Sequence, residues 1–330
     1  MGKLRIPDKR RLFGANIVPT QADVAPAAGQ LAWSNLFLNW GARWPTWIKP
    51  QVDYLAGNAV GANCIRMIGG LDGVAAGLYS QSYHDDKLEQ LVSYCNSLGV
   101  HFFLCGSGTQ TQLLTAIGGG LTAAQYGAMQ GTTIVRMQRY PNVIGADLIQ
   151  ESQGGSIGNG FLISMIQEAR NRGAAIPLTC SAAVATSQGE NWLLGVTQGA
   201  ILQAFDFISI HCYFRAIDAT FWNQFFAAAP HHDVIIGEFG RSLSAGVATP
   251  PDDASRALQI SDFTRWMEMG SAPDPRVRGA LLWAASDQRA DDNTERWGVY
   301  SENFVPRPWM LDVVKRYTLG SVAKNNATVR

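Results

Sequence analysis

Eight short apolar runs punctuate the chain: LFGANIV from Leu12, ANCIRMIG from Ala62, HFFLCGSG from His101, VIGADLIQE from Val143, IPLTCSA from Ile176, DFISIHCYF from Asp206, DVIIGEFG from Asp233 and VRGALLWAASD from Val277. Nearly unbroken apolar runs of this length are the signature of strands buried on both faces of a parallel sheet. The stretches between them have the helical period. From Asp85 to Leu98, Leu88, Leu91, Val92 and Cys95 fall at three- and four-residue spacing, and Gly99 supplies a stop. Helices are also predicted from Thr122, with that threonine as N-cap, to Arg139, from Phe161 to Arg172, from Asp253 to Met269 and from Trp309 to Tyr317. Eight alternating strand–helix units predict an α/β fold, a single-domain (β/α)₈ TIM barrel over residues 1–318, with a fraying tail at 319–330. An open doubly wound sheet is the runner-up, but it would show a glycine-rich dinucleotide turn at its first strand, and Gly14-Ala15-Asn16 is not one.

Three connections at the strand C-terminal ends are long: about Val18 to Pro50, Gly106 to Leu121 and Asp287 to Gly298. Long loops at one end of a barrel usually build a binding site. The first carries Trp33, Trp40, Trp44 and Trp47, whose broad apolar rings could line such a site or simply pack the loop.

Composition narrows the choice of partner. Of 330 residues 47% are hydrophobic and 16% charged, and Lys+Arg and Asp+Glu both number 26. A zero net charge argues against a general nucleic-acid binder or an anionic membrane surface and suits a neutral substrate. No apolar run is long enough to span a bilayer, and the basic N-terminus is not followed by a signal-type apolar region; the location stays open, cytoplasmic or virion-associated unless a signal has been removed. The five cysteines lack metal-ligand spacing and read as small buried hydrophobes; neither a metal nor a cofactor is expected, and the oligomeric state stays open.

The chemistry sits at two strand ends. The fourth run closes on Gln150-Glu151 and the seventh on Gly237-Glu238-Phe239-Gly240. A barrel gathers its strand C-termini around one mouth, so residues ending strands four and seven can face each other. Carboxylates about 5 Å apart suit retaining glycoside hydrolysis, one protonating the leaving oxygen and the other attacking the anomeric carbon.

These residues give the chain a resemblance to the clan A glycoside hydrolases, most closely the family 5 type, running from about Leu12 to Tyr317. In that group an Asn-Glu pair ends strand four, and a glutamate in an apolar-Gly-Glu-aromatic-Gly setting ends strand seven. The resemblance implies that Glu151 is the acid/base and Glu238 the nucleophile of a retaining β-glycosidase or endoglycanase acting on a neutral oligo- or polysaccharide. Gln150 departs from the family asparagine that holds the sugar 2-hydroxyl, and is expected still to contact the 2-substituent or the acid/base. Arg66 in CIRMIG matches the arginine that contacts the nucleophile. His211 and Tyr213 in SIHCYF match a His-x-Tyr pair whose hydroxyl lies near the nucleophile, and Trp283 in ALLWAASD matches the tryptophan that floors the sugar site. The family also implies a cis peptide after Trp283. Trp297-Gly298-Val299-Tyr300 and Pro306-Arg307-Pro308 resemble its C-terminal segment, whereas Cys105-Gly106-Ser107-Gly108 lacks the acidic or histidine residues often found after strand three.

Other chemistries find less support. The chain has no DxxDxDxE or HExxH run, and no lysine on a strand for a Schiff-base aldolase. His231-His232 precede the seventh strand, away from the mouth, and read as a solvated turn. The alternative to an enzyme is a catalytically weak carbohydrate-binding barrel, which Gln150 and the missing secretion signal would favour.

Overall fold

The computed structural model describes residues 4–6, 11–23, 32–57, 60–107, 121–152, 158–183, 200–213, 219–228, 231–240, 276–287, 298–301, 303–307 and 310–312. All eight apolar runs form strands, in nine pieces: β1 (Leu12–Ile17), β2 (Cys64–Ile68), β3 (His101–Cys105), β4 (Val143–Asp147), β5 (Leu178–Thr179), β6 (Ala182–Ala183), β7 (Phe207–His211), β8 (Asp233–Phe239) and β9 (Val277–Leu282). Every pairing is parallel, in the order β5-β4-β3-β2-β1-β9-β8-β7-β6. The two ends of that order are successive parts of one run. Leu178–Thr179 pairs with β4, Ala182–Ala183 pairs with β7, and the Asp206 N–H donates to the Leu178 carbonyl at 2.9 Å. The fifth run therefore changes partner halfway and curls the sheet into the expected (β/α)₈ barrel.

The barrel interior is layered. Leu12, Cys64, Phe103, Ile144, Phe207, Ile235 and Leu281 form its floor, with Leu4 of the N-terminal segment beneath. The other faces of the strands, such as Ile65, Ile208, Ile210, Val234 and Ile236, join the larger core under the helices. Gln81–Ser97 opens with Ser80 accepting from the Tyr83 N–H, and buries Leu88, Leu91, Val92 and Cys95. Ala123–Met137 carries a capping box between Thr122 and Gln125, and Asn159–Asn171 follows β4. Of the helix expected at 309–317, residues 310–312 are described and helical; the rest of it, the helix expected at 253–269, the tail, and most of the third and eighth loops lie outside the described residues, as do Trp297 and Pro308.

The first connection differs from the long loop expected. It is largely helical, with Ala32–Leu38, Trp40–Arg43 and Lys49–Ala56 flanking a π-helical turn at Trp44–Ile48. Pro45 and Pro50 stand in the first turns of their segments, where a missing N–H costs nothing, so they start helices instead of breaking them. Most of its tryptophans pack. Trp40 is buried with its indole N–H on Gln90, Trp47 is buried with its N–H on the Val18 carbonyl, and Trp44 stacks on Trp40. Trp33 alone reaches Trp283, edge to face at 6.2 Å. All five cysteines are buried, and none forms a disulfide. His231 is exposed as expected, but His232 is buried and bonds the Phe205 carbonyl at 3.2 Å. Among the described residues no helix is long and apolar enough to cross a membrane.

Candidate active site

Strand geometry brings Glu238 into the mouth by a local irregularity. Ile235 faces the barrel floor while Val234 and Ile236 face the helices, so strict alternation would turn Glu238 outward. The register with β7 slips here: Ile210 pairs with Ile236, and His211 with Glu238. Gly237 is the extra residue of a bulge, and the bulge re-aims the glutamate inward. An alanine methyl at 237 would come within 2.8 Å of Ser209 Oγ and 3.1 Å of a His211 ring nitrogen, so the bulge needs glycine.

Once inside, Glu238 is almost fully buried, and both its oxygens are engaged. Arg66 Nη1 donates to Oε1 at 2.7 Å, and the Tyr213 hydroxyl donates to Oε2. Arg66 is the hub of the site. From β2 it also donates to Asn16 Oδ1 on β1 at 2.8 Å and to Asp147 Oδ2 at the end of β4 at 3.0 Å, and it lies 3.4 Å from Cys105 Sγ on β3. Burial works against its charge, but Cys105, Glu238 and Asp147 hold the guanidinium well above its ordinary pKa. Burial raises the Asp147 carboxyl, with Arg66 and the Ser181 N–H pulling the other way.

Glu151 approaches from the opposite side. Its backbone is left-handed, φ 50°, a conformation that non-glycine residues seldom adopt outside functional sites. The Ser181 hydroxyl holds it there by accepting from the Glu151 N–H at 3.1 Å. The side chain is 24% exposed, and its Oε1 lies 3.0 Å from His211 Nδ1. Burial raises its pKa, and the more distant Arg66 lowers it. His211 is fully buried at the end of β7, and burial lowers its pKa to about 4, so the imidazole is neutral near pH 7. Its Nδ1 is also 3.5 Å from Glu238 Oε2.

One atom each from Glu151, His211 and Glu238 lie within 4.8 Å of one another. Three such groups can in principle surround a cation. Here the Arg66 charge already neutralises Glu238, and Tyr213 takes its second oxygen, so the donor set is spent on hydrogen bonds. The arrangement instead offers one ion-paired carboxylate opposite one partly exposed carboxyl.

The structure thus gathers Arg66, Glu151, His211, Tyr213 and Glu238 into one site. Trp283 is half-buried at the rim, against Trp33, and its peptide bond to Ala284 is cis as anticipated. Gln150 is buried beside Glu151, and its Oε1 has no hydrogen-bond partner among the described residues. Three contributors escaped the sequence reading: Asn16, Asp147 and Ser181. Asn16 accepts from Arg66 and donates to the Gly237 and Leu282 carbonyls at 3.0 and 3.1 Å, tying the arginine to the bulge. The signal for Asn16 and Asp147 was a polar residue inside an apolar strand run, the same signal that singled out Arg66.

No protein-family model matches the sequence, and neither does any curated protein. Its fold is nevertheless shared with solved structures. A β-glucuronidase from Ruminococcus gnavus in complex with D-glucuronic acid superposes with a TM-score of 0.61 at 14% identity, covering 96% of this chain and 52% of that one. The same enzyme in complex with C6-substituted uronic isofagomine gives a TM-score of 0.62, also at 14% identity and with the same coverage. This chain spans about half the length of those neighbours. The likeness shows a shared barrel fold.

Proposed function

We propose that the chain is a retaining glycoside hydrolase that cleaves β-glycosidic bonds of a neutral oligo- or polysaccharide, with Glu238 as nucleophile and Glu151 as acid/base. The observation that carries this reading is the approach of the two carboxyl groups, oxygen to oxygen within 4.8 Å. Retaining enzymes hold their pair about 5–5.5 Å apart, whereas inverting enzymes leave about 6.5–9.5 Å for a water. The neighbours named as β-glucuronidases support the β-configuration.

The environments divide the roles. Arg66 and Tyr213 aim charge and a hydroxyl at Glu238, which suits a carboxylate that attacks the anomeric carbon as the glycosidic bond breaks. Glu151, raised by burial and still open to solvent, suits the group that gives its proton to the departing oxygen. In the second step Glu151 takes a proton from water, and that water's oxygen displaces Glu238 from the sugar. Gln150 replaces the family asparagine, and its Oε1, unpaired among the described residues, offers an acceptor to the sugar 2-substituent.

Azide rescue with an activated aryl β-glycoside tests the assignment. In Glu151→Ala azide should restore turnover and give the retained β-azide, and in Glu238→Ala it should give the inverted α-azide. NMR of the first sugar released by the unmodified enzyme should show retention; an inverted product rejects the mechanism even if both glutamates prove essential. Aryl β-glucuronides belong in the substrate panel beside neutral aryl glycosides. A protein that binds oligosaccharides but turns over none of the panel would be a carbohydrate-binding barrel.

A further inference from the structure

Alternation along β7 directs Phe207, Ser209 and His211 to the barrel interior. Phe207 belongs to the floor, His211 to the mouth, and Ser209 lies between them. Ser209 is completely buried, and its hydroxyl has no hydrogen-bond partner among the described residues. The same holds for Nε2 of His211, the ring nitrogen turned away from Glu151. Buried polar atoms are rarely left this way, so two side by side need a common explanation. Both face Gly237: the methyl of an alanine there would stand 2.8 Å from Ser209 Oγ and 3.1 Å from His211 Nε2. Both atoms therefore border the same side-chain-free spot at Gly237, and a single water there is the simplest common partner for them.

We propose that Ser209 is a positioning residue: through one buried water its hydroxyl donates toward Nε2 of His211, so that the imidazole keeps its proton on Nδ1 and gives that hydrogen bond to Oε1 of Glu151. This rests on Glu151 being the acid/base. A neutral imidazole has one N–H and one lone pair, and the hydrogen bond made by one nitrogen decides the role of the other. His211 is neutral because burial lowers it to about 4. The charged groups around it, Glu238 on β8, Asp147 on β4 and Arg66 on β2, are paired with one another, and Glu151 Oε1 at 3.0 Å is a nearer partner for Nδ1 than Glu238 Oε2 at 3.5 Å, which already accepts from Tyr213. With Nδ1–H on Oε1, the acidic proton of Glu151 must reside on Oε2, the oxygen free to meet the leaving group. The reverse tautomer would turn Nδ1 into an acceptor and draw that proton onto Oε1, away from the glycosidic oxygen. The same Nδ1–H then supports the carboxylate form when Glu151 acts as base, so no proton need move on the ring during the cycle.

The test combines imidazole ¹⁵N NMR at pH 7 with leaving-group dependence. The signals of His211 are assigned with His211→Gln and followed in Ser209→Ala, Ser209→Cys and Ser209→Thr. The unmodified protein should show a protonated Nδ1 and a bare Nε2. In Ser209→Ala the tautomer population should move toward Nε2–H. Its kcat/KM should fall about tenfold on aryl glycosides with poor leaving groups, which need the acid, and stay within about twofold on dinitrophenyl glycosides, which do not. Ser209→Thr keeps the hydroxyl and should restore both readouts; Ser209→Cys, a weak donor of similar size, should fall between and stands in if the alanine variant does not fold. A wild-type Nε2–H tautomer, or Ser209 variants that leave tautomer and leaving-group dependence unchanged, overturns the proposal. The NMR readout needs no turnover. A tautomer that shifts in a protein cleaving no glycoside would therefore reject the proposed function while leaving the Ser209–His211 link intact.

Discussion

The floor and the mouth of the barrel are built on opposite principles from the same strands. The floor is apolar, and Phe103 meets Phe207 edge to face at 5.7 Å. Its residues gain by leaving water, roughly 1.5–3 kcal/mol for each fully buried large side chain. Directly above, with the guanidinium 5.6 Å from the Phe103 ring, Arg66 binds two carboxylates that are as deeply buried as the floor. Burying charge costs several kcal/mol per ion and is recovered only through complete pairing. The comparison teaches where stability and function separate: the floor tolerates any good filling, while the mouth works only as a complete set.

The sharpest way to break the comparison is Arg66→Met. It strands Asp147 and Glu238 without their cation, and urea unfolding should show a loss of about 3–5 kcal/mol together with a fall in kcat/KM of at least about 10²-fold. Arg66→Lys should not restore activity, because one ammonium cannot span Asn16, Asp147 and Glu238 at once. The floor counterpart is Leu281→Ala. It should cost about 2–5 kcal/mol in the same measurement, yet leave kcat per folded molecule close to normal.

A buried carboxyl outside the Arg66 set sharpens the contrast. Asp72 is fully buried, and burial raises it to about 6 against the backbone N–H groups and Ser34 that favour its charge. Its folded pKa lies above the unfolded value, so its contribution to stability is present below about pH 4 and is lost as pH climbs through about 6. Asp72→Asn should therefore stabilise the protein by about 3 kcal/mol at pH 7, with the gain vanishing by pH 3.5. Thermal melts across that range check the sign; a gain that grows toward acid would refute it. The smallest effect is expected at Ser181→Ala, which removes the acceptor holding the Glu151 backbone. It should cost about 1 kcal/mol of stability and reduce activity on poor leaving groups more than on good ones.

The strands were legible because burial on both faces leaves an apolar run, and the two glutamates because each closes such a run. Arg66, His211 and Tyr213 were legible as residue types out of place in their strands. Asn16 is a small uncharged residue within its strand run and drew no notice, and Asp147 was overshadowed by Glu151 four positions on. Their partners lie 50 and 81 residues away in the chain, a separation that no local pattern encodes. The helices at 32–56 were hidden by prolines that look like breakers until their place in the first turn is known. The bulge that turns Glu238 inward was also invisible, because a single extra residue leaves no trace in composition.

The reach of Arg66 also bears on how the chain would acquire the proposed activity. One side chain joins β1, β3, β4 and β8, with sequence separations of 50, 39, 81 and 172 residues. Helices such as Gln81–Ser97 draw on contacts within a few turns and can form early, whereas contacts between distant segments are slow because the loop between them must first be closed. The guanidinium cannot be satisfied until the last strands have found the first. In refolding, far-UV circular dichroism should recover before Arg66 meets Glu238, and competence for chemistry should arrive only with closure of the ring.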